Sequence, residues 1–420
     1  MNRNISVGIL WPTLLVFIMV AVAPGLSAAD KYKVLYNFKG GSDGIGPNGL
    51  ILDPAGSLYG TTDVGGGGGC TDEGCGTAFH LAKSNGQWSE KVLVRFKDGG
   101  GDFPDSGVIM DAKGNLYGTA SGHALGPSYG TVFKLTPGEK GTWSVNVLHA
   151  FAGGNDGQYP IGGLVRDKQG NLYGTTAEGG GYYGTCGSLG CGTVFELIPP
   201  CTEGGRWKKK VLYRFKGGSD GGNPFASMIF DSRGNLYGTT EIGGDYGWGT
   251  VFTVEHDSHG QWTEHVLHSF NEKTDGAEPF GSVIFDRKGN LYCTTYSGTS
   301  STRGSVVELI PHSHEWRGKI IHVFKGGRDG GNPYSGLVID VSGALYGTTS
   351  DALSGGNGTV FKLTPSSRGT WTKSILHTFT GGNDGGFPFA PVVLDSSGDL
   401  FGTAGGGGTL GWGVVFKIAP

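Results

Sequence analysis

One short segment recurs seven times in this sequence, and the recurrence limits the possible folds more than any other feature. The segment reads Asp-Ser-Arg-Gly-Asn-Leu-Tyr-Gly-Thr-Thr at residues 231–240. Its copies start at Asp53, Asp111, Asp167, Asp231, Asp286, Asp340 and Asp395. A phenylalanine that closes an apolar run recurs with the same period, every 54 to 64 residues. This period exceeds a single helix pair and suits about four short strands with their turns.

Each repeat contains four candidate strands separated by glycine-rich or polar turns. In the fourth copy they cover residues 224–231, 236–240, 249–254 and 264–270. No helical periodicity follows the predicted leader, and the 84 glycines among 420 residues disfavour helices. Seven units of four strands predict an all-β fold, a seven-bladed β-propeller. An open β-solenoid is the alternative.

The two ends of the chain provide a check on the ring. The seventh copy stops after its third strand at residues 414–418, whereas an unmatched strand stands at the front, at residues 33–38. We therefore expect the N-terminal strand to complete the last blade, in a 3+1 closure that removes the exposed terminal faces of an open array.

The first 29 residues have the pattern of a secretory signal peptide. Arg3 is the only charge, residues 7–22 are almost wholly apolar, and small residues stand at 27–29. A retained membrane anchor is the alternative, although the apolar run is short for a membrane span. We assign residues 1–29 to the signal peptide and 30–420 to one closed propeller, with no stable membrane span after signal removal.

The six cysteines suit an exported protein. Cys70 and Cys75 lie in the glycine-rich loop of the first unit, and Cys186 and Cys191 lie in the equivalent loop of the third. The spacing predicts the disulfides Cys70–Cys75 and Cys186–Cys191, each pinning an enlarged loop. A metal site is the alternative, but no histidine flanks either pair. Cys293 is expected to be a small buried thiol that does not pair with Cys201.

The order of the repeated segments resembles a known family. Gly-[Leu/Val]-[Ile/Val]-x-Asp-x-x-Gly-Asn-Leu-Tyr-Gly-Thr-Thr, followed by Gly-Gly and Gly-Thr-Val-Phe-Lys-Leu-Thr-Pro, is similar to the bacterial GloVer tandem-repeat proteins. The resemblance covers the whole chain after the leader. It implies a secreted, periplasmic or cell-surface bacterial protein with propeller-like repeats, and it supplies no catalytic residue.

One face of the predicted ring carries the variable loops. In a propeller the loop between the fourth strand and the next first strand (the 4–1 loop) shares a face with the loop between the second and third strands (the 2–3 loop). We expect any ligand on this loop face, over the central channel. The 4–1 loops repeat an aspartate: Asp43, Asp156, Asp220, Asp275, Asp329 and Asp384, with Asp102 displaced by one position. These carboxylates could bind Ca²⁺; capping of their own turns is the alternative.

The loop face also carries aromatic residues that differ between copies. In the 2–3 loops they are Tyr129, Tyr182, Tyr183, Tyr246, Trp248 and Trp412, and Phe103, Tyr159, Phe280 and Phe387 flank the proline of the 4–1 loops. Such rings could stack on sugars or on peptide side chains. The alternative is that they fill gaps between blades.

These features favour a binding module over an enzyme. The net charge of −4 and the absence of basic runs argue against a nucleic-acid partner, so a protein or carbohydrate ligand is expected. The sequence contains no recognisable catalytic motif. An acid pair could still be assembled from Asp102, Asp105, Glu178, Glu241 and Asp245. A propeller lyase or hydrolase acting on a polysaccharide or lactone, and a structural surface component, are therefore the alternatives.

Overall fold

Each copy of the repeat folds as one four-stranded antiparallel sheet. The computed structural model describes residues 31–419 except 68, 98–101, 123–128, 183–185, 203, 299–301, 314, 352 and 354. The predicted signal peptide lies outside these residues. The described residues form 28 strands in seven sheets, which confirms the all-β, seven-bladed propeller. No helix in this part of the chain has the length and apolar character to cross a membrane.

The two inner strands of each blade come from the apolar segment and from the Leu-Tyr-Gly-Thr-Thr segment. The innermost strands are β2 (Ile45–Leu52), β6 (Ile109–Met110), β10 (Val165–Arg166), β14 (Ile229–Phe230), β18 (Ile284–Phe285), β22 (Val338–Ile339) and β26 (Val393–Leu394). The second strands are β3 (Leu58–Val64), β7 (Leu116–Ala120), β11 (Leu172–Thr176), β15 (Leu236–Thr240), β19 (Leu291–Thr295), β23 (Leu345–Thr349) and β27 (Leu400–Ala404).

The two outer strands are longer. The third strands are β4 (Thr77–Ser84), β8 (Thr131–Pro137), β12 (Thr193–Ile198), β16 (Thr250–His256), β20 (Ser305–His312), β24 (Thr359–Pro365) and β28 (Val414–Ile418). The fourth strands are β5 (Gln87–Arg95), β9 (Trp143–Ala150), β13 (Lys208–Arg214), β17 (Trp262–Ser269), β21 (Glu315–Val323), β25 (Trp371–Thr378) and β1 (Tyr32–Asn37). Short 3-10 turns cover Glu139–Gly141, Gly154–Asp156, Gly218–Asp220 and Gly327–Asp329.

The N-terminal strand closes the ring as expected. β1 pairs antiparallel with β28, from Tyr32 opposite Ile418 to Asn37 opposite Val414. The last blade therefore has the order β1-β28-β27-β26 and contains the first and the last of the described strands.

Threonine hydroxyls join each blade to the next along the central channel. The first threonine of every second strand donates a hydrogen bond of 2.7 to 3.3 Å to a backbone carbonyl at the start of the next blade. The donors are Thr61, Thr119, Thr175, Thr239, Thr294, Thr348 and Thr403, and the acceptors are the carbonyls of Ser106, Gly162, Ala226, Gly281, Ser335, Ala390 and Asn48. The seventh bond returns to the first blade, so these bonds make a closed circuit.

Both predicted disulfides are present. Cys70 bonds Cys75 and Cys186 bonds Cys191, each with a Cα–Cα separation of 5.1 Å. Cys201 is exposed and Cys293 is buried, and both are free thiols. The expectation that these two would not pair is therefore confirmed.

The core lies between neighbouring sheets and depends on a repeated pairing of glycine with phenylalanine. The glycine of the Leu-Tyr-Gly segment stands opposite the phenylalanine of the third strand, as Gly60 does opposite Phe79. A Cβ atom at Gly60 would lie 2.6 Å from the ring tip, so only glycine fits beside this ring. In the fifth blade Cys293 stands opposite Val307. The smaller valine leaves the space that the cysteine side chain fills.

Exchanging the pair in the fifth blade tests this packing rule. Val307→Phe alone should destabilise the protein by about 1–3 kcal/mol, because the new ring would collide with Cys293. Cys293→Gly alone should cost about 1–2 kcal/mol, because it leaves a void and adds backbone freedom. The double variant should recover most of both losses in chemical denaturation; additive losses would contradict the pairing.

Candidate functional site

The loop face opens into a cavity on the ring axis. The cavity has a volume of about 260 Å³ and is lined by residues from all seven blades. In blades 2 to 7 its walls begin at the residue after the proline of the 4–1 loop. These positions hold Asp105, Ile161, Phe225, Phe280, Tyr334 and Phe389 in blades 2 to 7. We call this ring of six side chains the cup.

A strained backbone residue sets the position of each cup residue. The residue before the loop proline has φ between 55° and 66° in every blade, and only in the first blade is it glycine. At Tyr159, for example, the N–H donates to the carbonyl of Tyr129 in the preceding blade, and the carbonyl accepts from the N–H of Ala177. These two bonds hold a left-handed conformation that non-glycine residues adopt at a cost of about 1–3 kcal/mol.

The first blade lacks a cup residue, because Asn48, which follows the proline there, is equivalent to Ser106: the carbonyl of each accepts the threonine bond from the preceding blade. The turn aspartate Asp53 follows Pro47 by six positions, whereas the equivalent interval is seven positions in every other copy. The inner strand β2 is correspondingly extended and pairs from Ile45 to Leu52. The missing residue leaves a notch in the ring, and Asp63 lies there with its carboxylate accepting a hydrogen bond from the side-chain amide of Asn48.

An arc of four aromatic rings forms one side of the cup. The ring centroids of Phe225 and Phe280 are 5.5 Å apart, those of Phe280 and Tyr334 are 4.9 Å apart, and those of Tyr334 and Phe389 are 5.6 Å apart. Tyr296, at the end of a second strand, contacts both Phe280 and Tyr334. The arc therefore continues through blades 4 to 7 without a break. Phe389 is 44% exposed, so the arc has a face open to a ligand.

Two pairs of carboxylates stand beside this arc. Asp63 and Asp105 form one pair: burial, and then the charge of Asp105, raises the pKa of Asp63 to about 7. Burial raises the pKa of Asp105 to about 6, opposed by a hydrogen bond with Ser121. In the second pair, burial and the charge of Glu278 raise the pKa of Glu241 to about 7. Near neutral pH the carboxyl groups of Asp63, Asp105 and Glu241 therefore lie between their protonated and charged forms.

Tyr334 connects the arc electrostatically with both carboxylate pairs. Burial raises the pKa of its hydroxyl, and the charges of Asp105, Glu241 and Asp63 raise it further. A neutral phenol therefore faces acids contributed by three other blades. The cup combines an apolar wall with groups that can accept hydrogen bonds or carry negative charge.

The six aspartates predicted as calcium candidates lie outside the cup, in the 4–1 loops. Each carboxylate accepts a hydrogen bond from a backbone N–H four residues earlier. The aspartate and donor pairs are Asp43 with Lys39, Asp156 with Ala152, Asp220 with Lys216, Asp275 with Asn271, Asp329 with Lys325 and Asp384 with Thr380. This geometry is the turn capping that was the alternative interpretation. The described residues contain no group of three or more His, Cys, Asp or Glu placed to hold a metal ion; calcium at these aspartates stays a prediction.

Each of these aspartates also contacts a ring on the preceding fourth strand. The rings belong to Tyr36, His149, Tyr213, His268, His322 and His377, with contacts of 2.6 to 3.4 Å. At five of the six junctions a side chain from the next fourth strand also takes part, and its type varies; at His268 the corresponding residue is Gly318. With His149 the partner is Lys209, whose ammonium lies 2.8 Å from the carboxylate of Asp156. With Tyr213 the partner is Glu264. The histidines therefore have a structural part at the blade junctions.

The predicted aromatic ligand residues lie on the loop face but farther from the axis. Tyr129 packs against Gly153, and Trp412 packs against Gly40 in the next 4–1 loop. Trp248 occupies the same position in its own blade and is 38% exposed. Tyr182 and Tyr246 are exposed, whereas Tyr183 lies outside the described residues. Their part in ligand binding stays a prediction.

Sequence reasoning identified part of the cup and missed the rest. Phe280, Asp105 and Glu241 were among the candidate aromatic and acidic residues; Phe280 and Asp105 line the axial cavity, and the charge of Glu241 acts on Tyr334. Asp63 and Tyr334 were missed. Two sequence signals could have found them. The copies differ at the position after the loop proline, and the interval from that proline to the turn aspartate is one residue shorter in the first copy.

The junction at Glu264 should make stability depend on pH. Burial and the charge of Asp220 raise the pKa of Glu264 to about 8, so the native state holds this proton more tightly than the unfolded state does. Stability should therefore fall as pH rises from about 4.5 through 8. Glu264→Gln stays neutral, and at pH 9 it should be about 1–2 kcal/mol more stable than the wild type, with little difference at pH 5.

Thermal unfolding at both pH values measures this effect. Glu255→Gln is the matched control, because Glu255 is exposed on β16. Equal stabilisation by the two substitutions at pH 9 would show that general surface charge, and not the buried junction, is responsible.

Comparisons with solved structures show the same fold at low sequence identity. Virginiamycin B lyase from Staphylococcus aureus, a catalytically inactive variant with quinupristin, is 12% identical, with a TM-score of 0.55 over 93% of this chain and 99% of the lyase. The extracellular domain of a candidate hybrid two-component system from B. thetaiotaomicron is 11% identical, with a TM-score of 0.52 over 92% of this chain and 39% of that one. A candidate 6-phosphogluconolactonase from Bacteroides uniformis is 13% identical, with a TM-score of 0.50 over 77% and 83%.

Sequence comparison identifies the family. No curated protein matches this chain in sequence. The family model of the Gloeobacter/Verrucomicrobia repeat matches residues 25–186, 182–373 and 286–420. These matches overlap and together extend through all seven blades, so the chain belongs to the Gloeobacter/Verrucomicrobia repeat family.

Proposed function

We propose that this protein is an exported ligand-binding propeller whose binding site is the cup. The observation that carries the proposal is the loss of sevenfold symmetry at this one level of the ring. The threonine bonds repeat in every blade, whereas the cup residues are acidic, aliphatic and aromatic in turn. Variation among the side chains that line one cavity, on a scaffold that is otherwise repeated, is typical of a surface fitted to a ligand.

Export is supported by the chemistry of the cysteines. The two loop disulfides suit an oxidising compartment outside the cytosol. The predicted signal peptide is consistent with this location. A secreted, periplasmic or cell-surface location remains part of the proposal.

A thermal-shift screen of the purified protein tests the proposal. The probes are small amines, amino acids, short oligosaccharides and lactones, and a binder raises the unfolding midpoint because it stabilises the native state. Phe280→Ala should abolish a shift seen with the wild type, because it interrupts the aromatic arc. The double variant Trp248→Ala/Trp412→Ala removes the outer rings and should retain the shift.

The comparison of these variants locates the site. Loss of the shift only in the Trp248 and Trp412 variant would move the ligand to the outer rings and contradict the cup. Calorimetry without ligand confirms that each variant folds. Tyr246, exposed in the 2–3 loop of the fourth blade, provides a single-ring control when replaced by alanine.

A second candidate function is catalysis, favoured by the carboxylate pair at the notch. Asp63 and Asp105 have pKa values of about 7 and 6, so one can be protonated while the other is charged. Such a pair can act as general acid and base on a polysaccharide or lactone. A lyase and a candidate lactonase are among the proteins that share the fold. Turnover of any such substrate that Asp63→Asn and Asp105→Asn each abolish would establish this function.

A further inference from the structure

Some partly buried acids of this protein have a cationic partner at close range. The ammonium of Lys209 lies 2.8 Å from the carboxylate of Asp156, and that of Lys373 lies 2.8 Å from the carboxylate of Asp329. No lysine, arginine or histidine is among the described residues that line the axial cavity. Negative charge in a partly buried site is costly unless it is paired. The cup therefore has the electrostatic character of a site that lacks its cation.

The shape of the cavity restricts the size of this cation. Its volume of about 260 Å³ is below the range of about 300–1,000 Å³ typical of drug-sized ligands. Its wall is closed between the first two blades: a Cβ atom at Gly107 would lie 2.8 Å from the carbonyl oxygen of Gly49. A ligand in the cup is therefore small.

The lining distinguishes an organic cation from a metal ion. Calcium takes six to eight oxygen ligands, and the described residues contain no group of three or more acids, histidines or cysteines placed to hold a metal. Phe225, Phe280, Tyr334 and Phe389 instead present a continuous aromatic surface. Aromatic rings beside carboxylates are the usual surroundings of alkylammonium groups, which gain both cation–π attraction and apolar contact.

We infer that the cup binds a small organic ammonium cation, with the positive charge beside Asp63, Asp105 and Tyr334 and the alkyl groups against the aromatic arc. This inference rests on the proposed function and specifies its ligand class. A neutral sugar would leave the charge of both carboxylate pairs uncompensated. An anion would be repelled by all four acids.

Ligand binding should be coupled to proton release. The titratable groups around the cup are Asp63, Asp105, Glu241, Glu278 and the hydroxyls of Tyr296 and Tyr334. A cation favours the charged form of the nearby carboxylates and lowers their pKa values. Its affinity should therefore rise between pH 5.5 and pH 8, whereas the affinity of a neutral ligand of the same shape should change little.

Titration calorimetry with choline and with its neutral isostere 3,3-dimethylbutan-1-ol tests the inference. The two molecules have the same shape and differ in the charge of one atom. At pH 8 we expect choline to bind at least tenfold more tightly than the alcohol, and this ratio should shrink at pH 5.5. The heat of choline binding should also vary with the ionisation enthalpy of the buffer, because protons are released.

Substitutions of the two aspartates test whether their carboxylates cause the tighter binding of choline. Asp63→Asn and Asp105→Asn should each lower choline affinity at least tenfold without changing alcohol affinity. Neither substitution should impair folding, because each removes like-charge repulsion, and thermal unfolding confirms this. Asp245→Asn is the matched control, because Asp245 is an exposed loop-face carboxylate whose backbone N–H donates to Ser269.

The outcomes separate this inference from the proposed function. Equal binding of choline and the alcohol at pH 8, or unchanged choline affinity in both aspartate variants, would overturn the ammonium site and leave the cup as a binding site. The same conclusion would follow if neither probe bound but another molecule of the thermal-shift screen lost its effect in Phe280→Ala. No binding by any probe would overturn both.

Discussion

Hydrogen bonds from seven threonine hydroxyls to the neighbouring blade's inner strand set the dimensions of this protein. Each bond fixes the distance between one second strand and the next first strand, and the bond from Thr403 to Asn48 closes the circuit. The residues at the contact must stay small, as the close approach of Gly49 and Gly107 shows. Many of the repeated residues serve this close contact between blades or form the glycine–phenylalanine pairs of the core. For this reason much of the chain is repeated between copies, and little of that repetition concerns a ligand.

At the cup, the side chains do not have to be small. The residue after the loop proline is not the one whose carbonyl accepts the threonine bond, and in two blades its N–H donates to the carbonyl of the left-handed residue before the proline, as Ile161 does to Tyr159. Its side chain can therefore differ from blade to blade without disturbing the ring. The deletion in the first blade adds a second departure from symmetry, because it opens the notch in which Asp63 meets Asp105. An asymmetric site is thus obtained from a symmetric scaffold by six side chains and one missing residue.

The fold could be predicted from the sequence because it depends on periodic features. The period, the four strands of each copy and the unmatched first strand were sufficient for the seven blades and their closure, and the C-x4-C spacing was sufficient for both disulfides. The site could not be predicted in the same way, because Asp63 and Tyr334 are 271 positions apart and meet only through the curvature of the ring. The aspartates were recognised as repeated, but their partners His149 and Lys209 lie on strands of adjacent blades. Their pairing follows from the blade junction and leaves no local pattern.

The pairing of β1 with β28 also determines when the ring can be finished. During synthesis the first strand appears before any blade is complete, and its partner is the last of the described strands to emerge. Until then β1 has an unpaired edge, and the first blade lacks the neighbour that Thr403 provides. The early blades can form as they appear, but the axial cavity has no complete wall before the seventh blade arrives. The complete axial cavity and the closed ring therefore form in the same late step, so a product truncated before β28 would have neither.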